Sequence, residues 1–300
     1  IKPKILVIVG PTASGKSALA IQLAKKFIGE IVSADSRQVY RGMDIGTAKP
    51  TKNEMVAVPH YLIDIKNSDE NYTVAEYKRD AVKAINKILK NKKLPILVGG
   101  TGLYIKAVID NLNIPEVAPD LKLRKKLEKE IEKYGLNFVL KKLIDIDPEA
   151  AYIIDPNNPR RIIRALEIAI KTKKPFSAQR KSGKPLFDFI EIGIKWPKNT
   201  LGSRINKRVD VMIKDGLLEE VKKLIKKYGL KQHSFDAIGY REIIDYFYKK
   251  ITLDEAVNLI KKNTRNYAKR QMTWFKKDVR IRWINHIEQA EKLVAKFLNK

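Results

Sequence analysis

Residues 10–17 have the types and spacing of a phosphate-binding loop. They read GPTASGKS, which fits G-x-x-x-x-G-K-[ST], and they follow the apolar run at residues 5–9. In this pattern the glycines let backbone N–H groups turn toward phosphate oxygens, the lysine adds charge and the hydroxyl can hold Mg²⁺. The alternative is an ordinary glycine-rich turn. The context favours a di- or triphosphate site formed by Gly10, Pro11, Thr12, Ala13, Ser14, Gly15, Lys16 and Ser17, with Ser17 as metal ligand.

Asp35 follows a second apolar run, at residues 30–33. A carboxylate at the end of a strand could cap a helix, bind Mg²⁺ or act as a general base. Its position near the phosphate loop, among cations that keep it ionised, favours chemistry. The next residues, Ser36, Arg37 and Gln38, carry hydrogen-bonding groups suited to nucleobase edges, although a solvated loop accounts for them equally well.

Thr101 follows Gly99 and Gly100 at the end of a third apolar run. It could be a helix N-cap, or its hydroxyl could donate to a bridging phosphate oxygen. The run before it lacks the Asp that helps to hold Mg²⁺ in P-loop NTPases. The missing Asp indicates that the phosphate loop holds a leaving diphosphate and does not serve hydrolysis.

Basic residues form three further groups. Arg160, Arg161 and Arg164 have helical spacing, as do Arg204 and Arg208. Residues 264–275 mix cations with Tyr, Trp and Phe, a combination that suits single-stranded RNA because bases stack on rings and guanidinium planes. Each group alone fits a solvated helix face, but together they favour RNA.

Short apolar runs predict strands at residues 5–9, 30–33, 94–98 and 189–195, with helical periodicity at 16–27 and 74–90 between them. This alternation predicts an α/β fold, a P-loop NTPase-like parallel sheet flanked by helices, with candidate residues at the strands' carboxyl ends. Helical patterns at 121–134, 137–144, 148–153 and 159–172 predict a helical insertion domain at 117–186 within a core of 1–116 and 187–300. The remainder from 201 onward is expected to be helical.

The composition limits the partners. The chain has 61 Lys and Arg against 34 Asp and Glu, a net charge of +27, which favours a polyanionic partner over a mere lysine bias. It has no cysteine, and its three histidines lack the spacing of zinc ligands. No apolar run approaches the ~20 residues that span a bilayer, and the first residues do not resemble a signal peptide. We therefore expect a cytoplasmic protein without membrane contact.

Six segments resemble the tRNA dimethylallyltransferases, also called tRNA isopentenyltransferases. They are GPTASGKS at 10–17, SADSRQVYRGMDIGTAKP at 33–50, LVGGTGLY at 97–104, RIIRALE at 161–167, IGYRE at 238–242 and TRNYAKRQ at 264–271. They occur in the family's order along nearly the whole chain. The resemblance implies transfer of a dimethylallyl group from dimethylallyl diphosphate to N6 of adenosine 37 in tRNA, with Mg²⁺, by a bacterial-type enzyme.

The resemblance also assigns roles to residues. It implies that Asp35 is the general base, that Thr101 contacts the diphosphate bridge and the tRNA, and that Arg208 joins the phosphate loop in holding diphosphate. Arg160 stands where the family usually has Gln. The tRNA contacts that it implies are Asp35, Ser36, Arg37, Gln38, Thr101, Arg124, Arg160, Arg161, Ile162, Ile163, Arg164, Gly239, Tyr240, Arg241, Arg265, Lys269, Arg270 and Gln271.

Two other functions are compatible with parts of the sequence. A P-loop kinase of a small metabolite or nucleotide explains the phosphate loop but gives the basic helices no role. An RNA-binding protein with a relic phosphate loop explains the charge but gives Asp35 no role. A monomer is expected in each case.

Overall fold

The structure is a computed structural model that describes residues 2–115, 117–180 and 182–299. It contains two compact units. The larger consists of Ile1–Ile109 and Leu186–Lys300, and the smaller of Asp110–Pro185.

A parallel sheet forms the centre of the larger unit. The described residues supply six strands in the order β3-β2-β4-β1-β5-β6, and every neighbouring pair is parallel. The strands are β1 (Lys4–Val9), β2 (Gly29–Ala34), β3 (His60–Tyr61), β4 (Leu94–Gly99), β5 (Asp188–Ile194) and β6 (Arg282–Ile284). The predicted α/β fold with a parallel sheet is confirmed.

The two edge strands, β3 and β6, are absent from the prediction. β6 lies in the segment after residue 201 that was expected to be helical, so that expectation is wrong at residues 282–284. Strands of two and three residues are too short to show an alternating pattern. The central strands are recognisable because β2 and β4 are buried along their whole length.

Helices cover both faces of the sheet. Side chains alternate along β1, so Ile5, Val7 and Val9 pack into one apolar cluster while Leu6 and Ile8 pack into another. The helices of this unit are α1 (Lys16–Lys26), α2 (Lys52–Ala57), α3 (Val74–Lys90), α4 (Gly102–Ile109), α9 (Lys198–Lys214), α10 (Leu217–Tyr228), α11 (Tyr240–Phe247), α12 (Leu253–Phe275) and α13 (Ile287–Leu298).

The register of the sheet brings the candidate segments together. Gly99 at the end of β4 pairs with Val9 of β1 on one side and with Ala34 of β2 on the other. The residues after these three strands are the phosphate loop, Asp35 and Thr101. The expected convergence at the carboxyl ends of the strands follows directly from this pairing.

The smaller unit is helical and has its own core. Its helices are α5 (Leu121–Tyr134), α6 (Leu136–Ile146), α7 (Ala150–Ile153) and α8 (Pro159–Thr172). They enclose a cluster that includes Leu127, Val139 and Leu166. The unit begins earlier than the predicted residue 117, because Leu112 pairs with Ser182 in an antiparallel bridge. The predicted boundary at Glu116 lies outside the described residues. Within the described ranges, no helix combines the length and apolarity needed to cross a membrane.

Candidate active site

The phosphate loop joins β1 to α1 and adopts a conformation that requires glycine. Gly15 has φ 93°, a left-handed value that side chains rarely adopt, and Ala13 before it has φ 62°. Ser14 N–H donates to Pro11 O at 3.3 Å, which closes the turn. Because of this curl the loop leads directly into the first turn of α1, as the sequence predicts for a phosphate site.

The positive charge of the loop is partly buried. Lys16 Nζ donates to Pro11 O at 3.3 Å. Burial lowers the pKa of Lys16 to about 8, with Arg208 adding to the shift and Asp35 opposing it. Burial also lowers the pKa of Arg208, against the opposing effect of Asp35. Arg208 and Asp35 are therefore close enough to Lys16 to affect its pKa.

Asp35 lies in a turn directly after β2. Its Oδ1 accepts hydrogen bonds from Arg37 N–H at 2.8 Å and Gln38 N–H at 3.4 Å. Residues 36–39 form turns and no helix, so the carboxylate caps its own turn, and the alternative of a helix N-cap is wrong. These bonds fix the orientation of the carboxylate, and Asp35 also lines two of the cavities described below.

Thr101 connects this turn to the residues after β4. Its Oγ1 accepts a hydrogen bond from Ser36 N–H at 3.1 Å and lies 3.5 Å from Ser36 Oγ. Tyr267 of α12 lies near Asp35, and burial together with the Asp35 carboxylate raises the pKa of Tyr267 to about 12, so the phenol keeps its proton at neutral pH. Thr101 thus holds the turn that carries Asp35.

Three cavities surround these residues. One of about 300 Å³ is lined by Asp35, Thr12 and Arg208 together with Tyr267 and Arg270 of α12. A second of about 70 Å³ shares Thr12, Asp35, Arg208 and Tyr267 with the first and adds Lys16 and Ser17. A third of about 510 Å³ lies on the outer side of the loop and shares Lys16, Ser17 and Arg208 with the second. We call them the base-side, inner and loop-side cavities.

The side chains of Gln38 and Arg37 form hydrogen bonds within the protein. Gln38 Nε2 donates to Thr47 O and Ala48 O, each at 3.3 Å, and Ser33 Oγ donates to Gln38 Oε1 at 3.1 Å. Arg37 Nη1 donates to the backbone oxygens of His233 and Ser234 at 3.1 and 3.2 Å. Both side chains hold neighbouring loops in this structure, and their expected contact with a base stays a prediction.

Glu220 on α10 fixes the loop that faces the phosphate site. Its carboxylate accepts hydrogen bonds from the N–H groups of Asp44, Ile45 and Gly46 at 2.8–3.1 Å, and from Tyr240 Oη at 2.6 Å. A carboxylate with four donors holds this backbone firmly. The next residues, Thr47 and Ala48, line the inner cavity. Tyr240 is fully buried, so its side chain has this structural role, and its tRNA contact stays a prediction.

The predicted contacts near the chain's C-terminal helices divide into buried and exposed residues. Gly239 and Gln271 are buried, whereas Arg241, Arg265, Lys269 and Arg270 are exposed. Gln271 Oε1 accepts from Thr12 N–H at 2.8 Å, and its Nε2 donates to Gly100 O at 3.0 Å. A Cβ on Gly100 would collide with that Nε2, which explains the glycine. Gln271 therefore connects two loops of the site.

The predicted tRNA contacts in the insertion unit also divide into buried and exposed residues. Ile162 and Ile163 are buried in its core, while Arg160 and Arg161 are exposed. Arg124 and Arg164 both pair with the buried carboxylate of Glu167, which also accepts from Asp120 N–H at 2.6 Å. Burial raises the pKa of Glu167, but the hydrogen bonds from Arg124, Asp120 and Arg164 outweigh it and lower that pKa to about 2. Arg124 and Arg164 thus stabilise the unit, and their tRNA contacts stay predictions.

Sequence reasoning gave no individual role to three residues of this site: Tyr267, Glu220 and Trp196. Tyr267 belongs to the cation–aromatic segment 264–275 that favours RNA, and it lies one helical turn before Gln271, so the helical period could have placed both on one face. Trp196 follows β5 at the same edge of the sheet as the other candidates, and its Nε1 donates to Ser14 O at 2.9 Å. Glu220 has no local signal, because three of its four hydrogen-bond donors lie about 175 positions away in the sequence.

The sequence is similar to known proteins over most of its length. A family model described as IPP transferase matches residues 38–278. A tRNA dimethylallyltransferase of Acetivibrio thermocellus is 48% identical over 296 residues, which cover 97% of this chain and 95% of that protein. One of Caldanaerobacter subterraneus is 49% identical over 289 residues, with coverage of 93% and 91%.

Solved structures give the same result. A tRNA isopentenylpyrophosphate transferase from Bacillus halodurans is similar with a TM-score of 0.73 at 43% identity, covering 99% of this chain and 96% of that one. A eukaryotic dimethylallyltransferase acting on tRNA has a TM-score of 0.77 at 30% identity, covering 96% and 75%. Since these matches extend over almost all of the sequence, the chain belongs to the IPP transferase family.

Proposed function

We propose that this chain transfers a dimethylallyl group from dimethylallyl diphosphate to N6 of adenosine 37 in tRNA and releases diphosphate. One observation carries the proposal beyond family membership. Asp35 lines the same inner cavity as Lys16 and Arg208, so a carboxylate and the cations of a phosphate site face a common space. This arrangement suits a reaction in which a proton acceptor and a leaving diphosphate must meet.

The leaving group would bind to the phosphate loop. The C–O bond of the donor breaks, and its electron pair goes to the diphosphate. Backbone N–H groups of the loop, Lys16 and Arg208 would stabilise that charge, and their desolvation strengthens the interaction because little water screens it. Thr12 adds a hydroxyl, to which Arg208 Nη1 donates at 3.4 Å.

The adenine would enter through the base-side cavity. As the new N6–C bond forms, Asp35 takes the N6 proton, a role typically worth 10²–10⁴-fold in rate. The base must leave its stack to reach this recessed carboxylate, which costs a few kcal/mol and least in a loop. The phenyl ring and hydroxyl of Tyr267 line the wall where an extruded purine would lie.

Mg²⁺ fits the site through Ser17. Ser17 lines both the inner and the loop-side cavity next to Lys16. Among the described residues, no cluster of three or more His, Cys, Asp or Glu could form a closed metal cage. Mg²⁺ usually combines few protein oxygens with phosphate oxygens and waters, which suits a single hydroxyl beside a diphosphate. When bound, the ion would neutralise part of the charge on the leaving group.

The tRNA would bind mainly through its phosphates. The net charge of +27 provides the attraction, and the exposed cations Arg160, Arg161, Arg241, Lys269 and Arg270 are suited to phosphate contacts. A tRNA substrate would locate the reaction in the cytoplasm. That the enzyme acts as a monomer stays a prediction.

Nucleoside analysis tests the proposal. The chain is incubated with tRNA, Mg²⁺ and dimethylallyl diphosphate, and the digested nucleosides are examined by mass spectrometry. We expect one adenosine per tRNA to gain a dimethylallyl group, and we expect Asp35→Asn to abolish the product. Asn keeps the Oδ1 that accepts from Arg37 N–H, so the turn should persist while the proton acceptor is lost.

Two outcomes would contradict the proposal. Phosphorylation of a small acceptor from ATP, without any prenylated nucleoside, would establish the kinase alternative. A near-normal rate in Asp35→Asn, with unchanged tRNA affinity, would remove Asp35 from the role of base.

A further inference from the structure

We propose that Trp196 and Arg204 are positioning residues that orient the phosphate loop so that the N–H of Gly15 faces the diphosphate. This inference rests on the proposed function of the loop and adds residues outside its motif. The two side chains hold consecutive carbonyl groups of the loop. Trp196 Nε1 donates to Ser14 O at 2.9 Å, and Arg204 Nε donates to Ala13 O at 2.8 Å.

The planarity of the peptide bond gives these contacts their effect. In a trans peptide the C=O and the following N–H point in opposite directions. Holding Ser14 O toward Trp196 therefore directs Gly15 N–H the other way. Holding Ala13 O toward Arg204 fixes the preceding peptide group, whose Ser14 N–H donates to Pro11 O and closes the turn. The N–H of Gly15 belongs to the residue that introduces the first turn of α1, where a phosphate oxygen would be bound.

The backbone at this point needs such support. Ala13 has a left-handed φ of 62°, a conformation that residues other than glycine rarely adopt without help from their surroundings. The hydrogen bonds from Arg204 to Ala13 O and from Trp196 to Ser14 O stabilise this conformation. Without them we expect the two peptide groups that flank Ser14 to rotate and the N–H of Gly15 to lose its direction.

The two side chains also support each other. The guanidinium carbon of Arg204 lies 4.9 Å from the centre of the Trp196 ring, within the range of a cation–π contact. Arg204 lies in α9 one turn before Arg208, and both arginines line the loop-side cavity. Trp196 is not among the described residues that line the three cavities, so its action on the diphosphate is indirect.

We call the two hydrogen bonds from Trp196 and Arg204 to the loop the brace. Trp196→Phe removes one of them with little change in packing. Phe keeps an aromatic ring beside Arg204 but cannot donate to Ser14 O. Binding of inorganic diphosphate with Mg²⁺ is measured by calorimetry, and steady-state kinetics are measured for both substrates. We expect Kd for diphosphate and KM for dimethylallyl diphosphate to rise about tenfold, which corresponds to one net hydrogen bond, with KM for tRNA unchanged.

Two further variants complete the test. Arg204→Lys keeps the charge but removes the Nε donor and the flat guanidinium, and it should raise the same two constants. Trp283→Phe, in the neighbouring strand β6, is the matched control: its ring packs against Gly193 of β5, and the change should leave diphosphate binding unchanged. Thermal unfolding of each variant shows whether it is folded at the assay temperature.

The outcomes separate this inference from the proposed function. Wild-type diphosphate affinity in both Trp196→Phe and Arg204→Lys would overturn the brace, even if the wild-type chain prenylates tRNA. A wild-type chain that binds diphosphate but transfers no prenyl group would overturn the proposed function, while weaker binding in the variants would still support the brace. A wild-type chain that does not bind diphosphate would overturn both.

Discussion

Gln271 Oε1 accepts a hydrogen bond from the N–H of Thr12 at 2.8 Å. This bond joins α12 to the phosphate loop across 259 positions of sequence, and the other end of the same amide holds Gly100 O at 3.0 Å. Gln271 is buried, and its bond to Gly100 O is made away from water, so that carbonyl has no solvent as a substitute partner. One side chain therefore fixes the spacing between the phosphate loop and the residues around Thr101.

Gln271→Glu should weaken diphosphate binding by about ten- to hundredfold. The carboxylate can still accept from Thr12 N–H, but it cannot donate to Gly100 O, and it brings negative charge next to a site for an anion. The cost of an unpaired buried carbonyl alone is about 1–3 kcal/mol. Calorimetry with inorganic diphosphate measures the effect, and Gln289→Glu on the exposed face of α13 is the control. A rise in KM for tRNA alone would instead assign Gln271 to RNA contact.

The lowered pKa of Lys16 predicts a pH dependence of diphosphate binding. In the free protein this pKa is about 8, so half of the Lys16 ammonium groups have lost their proton at that pH and most have lost it one unit higher. A bound anion favours the charged form and raises the pKa. Binding should therefore take up a proton above pH 8, and affinity should fall as pH rises through this range, by up to ~tenfold per unit.

Calorimetry in buffers of different ionisation enthalpy measures this proton uptake. Diphosphate itself titrates in the same range, so the control must share that effect. Lys16→Arg provides it, because a guanidinium stays charged throughout. We expect a flatter pH profile in Lys16→Arg than in the wild type, and identical profiles would show that the ligand alone is responsible.

Glu167 should be critical for the stability of the insertion unit. Its pKa is lowered from 4.5 to about 2, so its stabilising contribution is present above pH 4.5 and is lost as pH falls toward 2. Glu167→Gln leaves Arg124 and Arg164 without their shared anion and should destabilise the unit by about 3 kcal/mol. Hydrogen exchange of residues 110–185 measures this, with Glu132→Gln on an exposed face as control. Equal protection in both variants would contradict the role.

Local sequence patterns were sufficient to predict the central strands of the sheet and the loop between β1 and α1. The strands at the centre of the sheet are buried and apolar, and the phosphate loop is defined by glycines and a lysine at fixed spacing. Because the strands are parallel, their carboxyl ends lie at one edge of the sheet, and the residues that follow them are expected to lie close together. For these reasons Asp35 and Thr101 could be assigned to one site before any coordinates were known.

The supporting residues could not be predicted in this way. Whether Arg164 faces an RNA or a buried carboxylate depends on Glu167 being inside the unit, and a helical repeat of arginines gives no sign of that. Trp196, Glu220 and Gln271 reach the loops of the site from distant segments. Their roles arise from tertiary packing, so they become recognisable only when the strands and helices have been assembled.

The exposed pair Arg160 and Arg161 offers the clearest test of RNA binding by the insertion unit. Arg164 is tied to Glu167, so its replacement would mix a loss of stability with a loss of binding. Replacing Arg160 and Arg161 together by Ala should instead weaken tRNA binding without unfolding the unit. Each phosphate contact contributes about 0.7–0.9 to the slope of log K against log salt, so loss of two contacts should lower the slope by about 1.4–1.8. Filter binding at several salt concentrations measures it, and an unchanged slope would mean that both side chains face solvent in the complex.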